Sequence, residues 1–214
     1  MLSRSSSLLT VGLLSSAMFM SANAIAHNAD DFFVRGGLAY VAPNESSDVV
    51  LGDSELEINN VLKIGATLTY MKSDNVGFEV LLGLPFTHEV SLKTSGHVAN
   101  VSHLPLSVVA QYYFADSDSD IRPYVGGGFN YTTFLDEEGV GALASADVSV
   151  DNSFGYAIQA GIDIDLNDKW FANTSIWYLD IDTDVHVNNF PVNVPPIKTT
   201  INPLAFLVSV GYTF

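Results

Sequence analysis

The 214-residue chain has no cysteine, and it sets 8 Lys and Arg against 24 Asp and Glu. Past residue 26 no apolar run approaches the about 18 residues of a membrane-spanning helix. Each shortage excludes something. Without Cys there is no disulfide framework, no thiol nucleophile and no Cys-based zinc or iron–sulfur site. A net charge of −16 with so few cations excludes a nucleic-acid binder, because neutralising phosphates takes clustered Lys and Arg. Without a long apolar run, the chain beyond residue 26 has no candidate transmembrane helix. Apolar residues are nevertheless plentiful, 48% of the total, enough for a full core and too many for a disordered chain.

The first segment stands apart. Arg4 and the free amine form a positive end, residues 8–20 are apolar, and Ala22-Asn23-Ala24-Ile25-Ala26 offers small-x-small cleavage sites. This is the pattern of a secretory signal peptide, with Ser15 and Ser16 interrupting a run too short to serve as an anchor. Cleavage after Ala26 leaves a mature domain of residues 27–214 starting at His27, with its net charge moved to −17 by the loss of Arg4.

The mature chain has a period of two. Val76, Phe78, Val80, Leu82 and Leu84 fall on one face and Gly77, Glu79, Leu81 and Gly83 on the other; Leu62 to Tyr70 alternate in the same way against Lys63, Gly65, Thr67 and Thr69. Alternation of this kind marks β-strands. It recurs over residues 31–41, 104–114, 121–131, 154–162, 169–180 and 204–214, for eight strands in all. An even number of strands about ten residues long is what a small membrane barrel requires. Short links at 71–73, 115–120 and 164–168 alternate with long ones at 42–59, 85–103, 132–152 and 182–202. Short periplasmic turns and long outer loops put both termini on the periplasmic side.

A soluble barrel would carry charged residues on its outer face, and these strands carry almost none there. Phe32, Tyr40, Tyr70, Tyr112, Phe114, Trp170, Tyr178, Tyr212 and Phe214 gather near strand ends, as two interfacial girdles would. The expected fold is therefore all-β: an eight-stranded antiparallel transmembrane barrel with four long outer loops, in contact with outer-membrane lipid.

Particular stretches resemble the outer-membrane protein W family of Gram-negative bacteria. They are Leu68-Thr69-Tyr70-Met71 with Asp74-Asn75-Val76-Gly77, Pro85-Phe86-Thr87-His88, His103-Leu104-Pro105, Arg122-Pro123-Tyr124-Val125-Gly126 with Asn130-Tyr131-Thr132-Thr133-Phe134, Trp177-Tyr178-Leu179-Asp180-Ile181-Asp182-Thr183, and Gly211-Tyr212-Thr213-Phe214. They run in the family's order over the mature chain. The resemblance implies location in the cell outer membrane, a narrow and largely hydrophobic interior, and uptake of small apolar molecules. Val210, Tyr212 and the terminal Phe214 look like the signal read by the barrel-assembly machinery.

An eight-stranded barrel is just wide enough for side chains to fill it, which argues against a water-filled porin. By alternation Arg35, Arg122, Asp163, Tyr113 and Tyr124 point inward near the periplasmic end, with Glu79 higher, and the charged members are expected to pair as a plug. Above them Leu81, Val109, Trp177, Leu179 and Leu207 face the lumen, with Gly83, Gly126 and Gly128 leaving space beside them. These make either a packed core or an apolar vestibule for small apolar solutes, gated where Leu81 meets Trp177. With the floor plugged, a solute would leave sideways, and Pro85 and Pro105, lacking ladder N–H groups at the outer ends of strands three and four, mark the expected opening.

Other chemistry finds little support. His88, His97 and His103 share an outer loop, but spacings of 9 and 6 match no compact ligand pattern. Asp180-Ile181-Asp182-Thr183-Asp184 starts like a calcium loop, yet Val185 stands where that loop needs Gly, and Asp163 to Asp168 fail the same test. Asp136-Glu137-Glu138 reads as a solvated surface. Ser102 beside His103 is the one pair resembling a hydrolase nucleophile and base, and neighbours in an extended chain point to opposite faces. No metal, cofactor or enzyme activity is expected. The alternative to a channel is a structural or receptor barrel without transport.

Overall fold

A computed structural model describes residues 27–50, 54–83 and 85–214; the expected signal peptide, 1–26, lies outside the described residues. Eight long strands follow one another: β1 Phe32–Ala42, β2 Val61–Ser73, β3 Val76–Gly83, β4 Gly96–Tyr113, β5 Ile121–Gly139, β6 Ser153–Asp165, β7 Trp170–Leu179 and β8 Leu204–Thr213. Each pairs antiparallel with its sequence neighbours. Pairing of β8 with β1, from Phe33↔Thr213 to Ala42↔Leu204, closes the barrel and removes both sheet edges.

Alternation decides which side chains meet lipid. Val34 and Leu38 on β1, Phe129 on β5 and Val208 on β8 are exposed, whereas Phe33, Arg35, Tyr113 and Tyr124 are fully buried in the bore. The aromatic residues near the strand ends are in ring contact. Phe32 lies 4.7 Å from Tyr70, Trp170 lies 4.9 Å from Tyr212, and Tyr212 lies 5.4 Å from Phe214, all at the end carrying both termini. At the other end Tyr156 and Tyr178 meet at 5.8 Å. This is the double girdle of a membrane barrel.

The outer half departs from the sequence expectation. Residues 85–103 and 132–139 are not irregular loop: β4 and β5 continue above the lipid-facing band, paired up to Ala99↔Gly139, and Phe86–Leu92 folds back on upper β4 as a hairpin. The remaining loops build a second, four-stranded sheet in the order Ser46–Ser47, Ile197–Thr200, Asp182–Asn188, Asp147–Val150. Both features have one physical cause. Val98, Val101, Val187 and Ile197 are apolar as well, but they pack against one another across the loops instead of against lipid. At the lower end, the first turn is residues 74–75, reached after a register irregularity between Met71 and Ser73, slightly beyond the expected 71–73.

Candidate functional site: the lumen and its seam

The lower bore is closed by an ionic network. β1 carries Arg35 inward one step above Phe33, and β3 and β6 bring Glu79 and Asp163 to it. Its guanidinium donates from Nη2 to Asp163 Oδ2 at 2.6 Å and from Nε to Asp163 Oδ1 at 3.2 Å, and it is paired with Glu79 through Nη1. All three are 1% exposed, so neither ion is left unpaired in a dry interior. Thr69, Gln159 and Asn173 complete the shell: Thr69 Oγ1 donates to Glu79 Oε2 at 2.9 Å, Gln159 Nε2 to Glu79 Oε1 at 3.1 Å, and Asn173 Nδ2 to Asp163 Oδ1 at 2.7 Å. Rings of Phe33, Tyr124 and Phe171 lie within 4.7 to 5.5 Å of the guanidinium carbon. Arg122, expected in the same plug, sits below it. It donates to the carbonyls of His27 at 3.1 Å and of Asp74, and lies over the Tyr113 ring.

His27, the first residue of the expected mature chain, was not foreseen as part of this floor. Its imidazole is fully buried, stacked 4.0 Å from Phe33, with Nε2 3.3 Å from Asp163 Oδ2. Nothing in strand periodicity could place it, since it precedes β1.

Above the floor lie two apolar chambers. The inner one, about 60 Å³, is bounded by Leu81 on β3, Trp177 and Leu179 on β7 and Leu207 on β8, together with Ala39, Gly65 and Pro105. Four of the five expected lumen residues thus share one wall. Val109 is also buried, packed in the same apolar cluster as Trp177 and Leu179, but it does not line the chamber. The outer chamber, about 50 Å³, is enclosed by the loop strands through Val50, Val90, Val148, Val185 and Ile197. His103 lines both chambers. Its ring stacks on His88 at 5.0 Å, and His88 Nδ1 lies 2.9 Å from the Asn59 carbonyl. Burial among the loops holds the His88 imidazole below its ordinary value, and the nearby Lys63 charge acts in the same direction. Among the described residues no cluster of three or more His, Asp or Glu is arranged to hold a metal ion.

The expected space beside the glycines is absent at two of the three positions. A Cβ on Gly128 would lie 2.0 Å from the Val108 carbonyl oxygen, and one on Gly126 would lie 2.8 Å from Gln159 Cγ. These glycines let the backbone and a neighbouring side chain approach closely and open no room in the lumen. Gly83 pairs with Gly65 and is the last residue of β3.

The wall itself is incomplete elsewhere. The β2–β3 ladder ends at Gly65↔Gly83, and above it Val61 to Ile64 pair with β1 alone among the described residues. Phe86 to His88 pair with β4, as β3 does below them. The two edges meet again only higher, where Glu89 N donates to Asn59 Oδ1 at 2.8 Å and Ile58 pairs with Val90. Among the described residues Val61 to Ile64 and Pro85 to His88 thus share no ladder pair, a seam on the order of 13 Å long at a strand rise of ~3.3 Å. Ile64, 68% exposed on the outer face, also lines the inner chamber.

The ladder between strands three and four, where Pro85 and Pro105 mark the expected lateral opening, is interrupted as well. It stops at Leu82↔Leu106 and resumes at Phe86↔His103, while β4 stays paired to β5 through Pro105↔Thr132. Pro85 is exposed, and Pro105 is buried on the chamber wall.

A sequence profile described as the OmpW family matches residues 28–214. The chain belongs to the OmpW family. Outer membrane protein W of Vibrio cholerae is 43% identical over 212 residues, covering 95% of this chain and 97% of that one. The crystal structure of the outer membrane protein OprG from Pseudomonas aeruginosa superposes with a TM-score of 0.83 at 32% identity, over 89% of this chain and 99% of OprG. A more distant relative, 26% identical over 84% of this chain and 87% of its own, is the dibenzothiophene metabolism operon protein PahQ of Pseudomonas aeruginosa. Like its family, this protein is an eight-stranded barrel of the cell outer membrane, resting in the lipid bilayer. Val210, Tyr212 and Phe214, at the end of β8, point to the lipid face of this OmpW barrel; Phe214 is 70% exposed, and its N–H donates to the Phe32 carbonyl at 3.0 Å.

Proposed function

We propose that this OmpW barrel admits small apolar molecules from outside through the loop chamber, past His103 into the inner chamber, and releases them sideways through the β2–β3 seam into the outer leaflet. Ile64 carries the proposal. A side chain that faces lipid and also lines the lumen chamber stands on the rim of an opening between the two. The ionic floor supports a sideways exit, because passage downward would mean breaking the Arg35 pairs with Glu79 and Asp163. The walls suit the cargo: Leu81, Trp177, Leu179 and Leu207 offer water and ions almost no hydration, while an apolar solute gains ~0.8 kcal/mol per buried CH₂. The name of the dibenzothiophene-operon relative fits a cargo of that kind.

Chambers of about 50 and 60 Å³ are smaller than the ~150 Å³ cavity that accommodates benzene, so the walls must move as a solute passes. The test is entry of an apolar fluorescent tracer into lipid vesicles with and without the protein, and with Leu81→Asp or Trp177→Asp. Faster entry with the native barrel, abolished by either charge, is the expected result. Equal entry with and without protein would leave a structural or receptor barrel.

A further inference from the structure

The polar side chains on the inner chamber are few and of one kind. Among the described residues Lys63, Trp177 and His103 are the whole set. An ammonium and an indole N–H only donate, and a neutral imidazole supplies one donor and one acceptor, so the wall holds no carboxylate, amide or hydroxyl to receive them. Trp177 is 2% exposed, and its Nε1 has no hydrogen-bond partner, although buried indole N–H groups usually find one. Lys63 stands on β2 in register with Ala39, exposed at the rim of the seam where it also lines the chamber. No hydrogen bond or ion pair engages it among the described residues, in a chain whose net charge is −16. Among the described residues it is also the only Lys or Arg on either chamber.

An apolar wall carrying an unpaired cation and an unanswered donor is complementary to an apolar chain that ends in an anionic acceptor. We propose that the inner chamber, widening as its walls part along the seam, binds medium-chain fatty acids, with the carboxylate on the Lys63 ammonium and the chain against Leu81, Leu179 and Leu207. The contact is a charge-assisted hydrogen bond, about twice as strong as a neutral one. Lys63 lies one residue from Leu62, which pairs with the girdle residue Tyr40, so the headgroup sits at the depth of the membrane interface. A chain passing through the seam then enters the leaflet with its carboxylate already at the surface. This inference rests on the seam reading for the route, though not for the binding itself.

The chain has two Trp, so Trp170→Phe leaves Trp177 as the sole indole reporter. In phosphatidylcholine vesicles free of lipopolysaccharide, at pH 7.5, decanoate and methyl decanoate are titrated against its fluorescence. The expected preference for the acid falls at least tenfold in Lys63→Met, is kept in Lys63→Arg, and weakens between 50 mM and 500 mM salt; heat-modifiability on a gel confirms that each variant folds. An acid-to-ester ratio unchanged in Lys63→Met overturns the proposal. So does a Lys63 effect that emerges only when lipopolysaccharide is added, which would assign the ammonium to lipid phosphate. Because binding is read at equilibrium, a barrel that binds decanoate yet moves no tracer refutes the transport route and leaves this site standing.

Discussion

Replacing Arg35 with Met isolates the energetics of the floor. The substitution keeps much of the aliphatic stem against Phe33 and removes the one cation shared by Glu79 and Asp163, each 1% exposed. Breaking a buried ion pair from one side costs about 3–5 kcal/mol, because a charge is left in a dry interior without its partner. Thr69, Gln159 and Asn173 still donate to the stranded carboxylates, which places the expected loss toward the lower end of that range. With a urea slope of about 2–3 kcal/mol per M for a chain of this size, the unfolding midpoint in lipid vesicles should fall by about 1–2 M. Adding Glu79→Leu and Asp163→Leu should recover most of it, since an apolar replacement of a whole buried ion cluster is often neutral or stabilising. A fall below about 0.3 M for Arg35→Met alone, less than ~1 kcal/mol at that slope, would mean that water reaches the network and that the floor is not sealed.

Deleting Phe214 should reduce outer-membrane yield far more than one exposed aromatic ring explains, on the proposal that the assembly machinery reads Val210, Tyr212 and Phe214; normal yield and heat-modifiability would withdraw that role. Gly128→Ala should destabilise by about 1–3 kcal/mol through overpacking against the Val108 carbonyl, whereas Gly36→Ala, with nothing within 4 Å of the added carbon, should fold as the native chain does. Equal unfolding midpoints for the two variants would disprove the close approach. His88 should titrate below 6.5 by NMR: burial and Lys63 lower it, against the Asn59 carbonyl and Glu45, which raise it. A base held low by folding contributes stability that is complete above its unfolded value and is lost as pH falls through the folded one. Folding stability should therefore fall on acidification below about pH 6.5, and a His88 midpoint at or above that value contradicts its burial.

Alternation made most of the barrel legible, because every lipid-facing strand repeats the same instruction over about ten residues. It also turned Arg35 and Asp163 inward near the periplasmic end, with Glu79 higher, and the three meet in the floor. What it missed is non-local. The loop sheet joins Ser47 to Thr199 and Val150 to Val185 in pairs too short for a period to register, so a second apolar core read as solvated loop. The glycines were misread for a related reason: inward direction follows from parity, but only the neighbouring strand shows that Val108 already occupies the space beside Gly128. Pro85 lies next to the seam, but a proline's position in the sequence does not tell which neighbouring ladder lapses. The seam lies above Gly65↔Gly83, where Ile64 pairs with β1 alone among the described residues.

The route through that seam is tested most directly by closing it. Because the native chain has no Cys, a single introduced pair, Asn59→Cys with Glu89→Cys, can bridge the upper rim without competing thiols; the neighbouring pair Ile58↔Val90 sets the register. Asp182→Cys with Thr200→Cys, paired in the loop sheet away from the seam, serves as the control. Tracer entry into vesicles should be slow with the oxidised seam pair, restored by reductant, and unaffected by the control bridge. Native rates through an oxidised, fully formed Asn59–Glu89 bridge would contradict the sideways route.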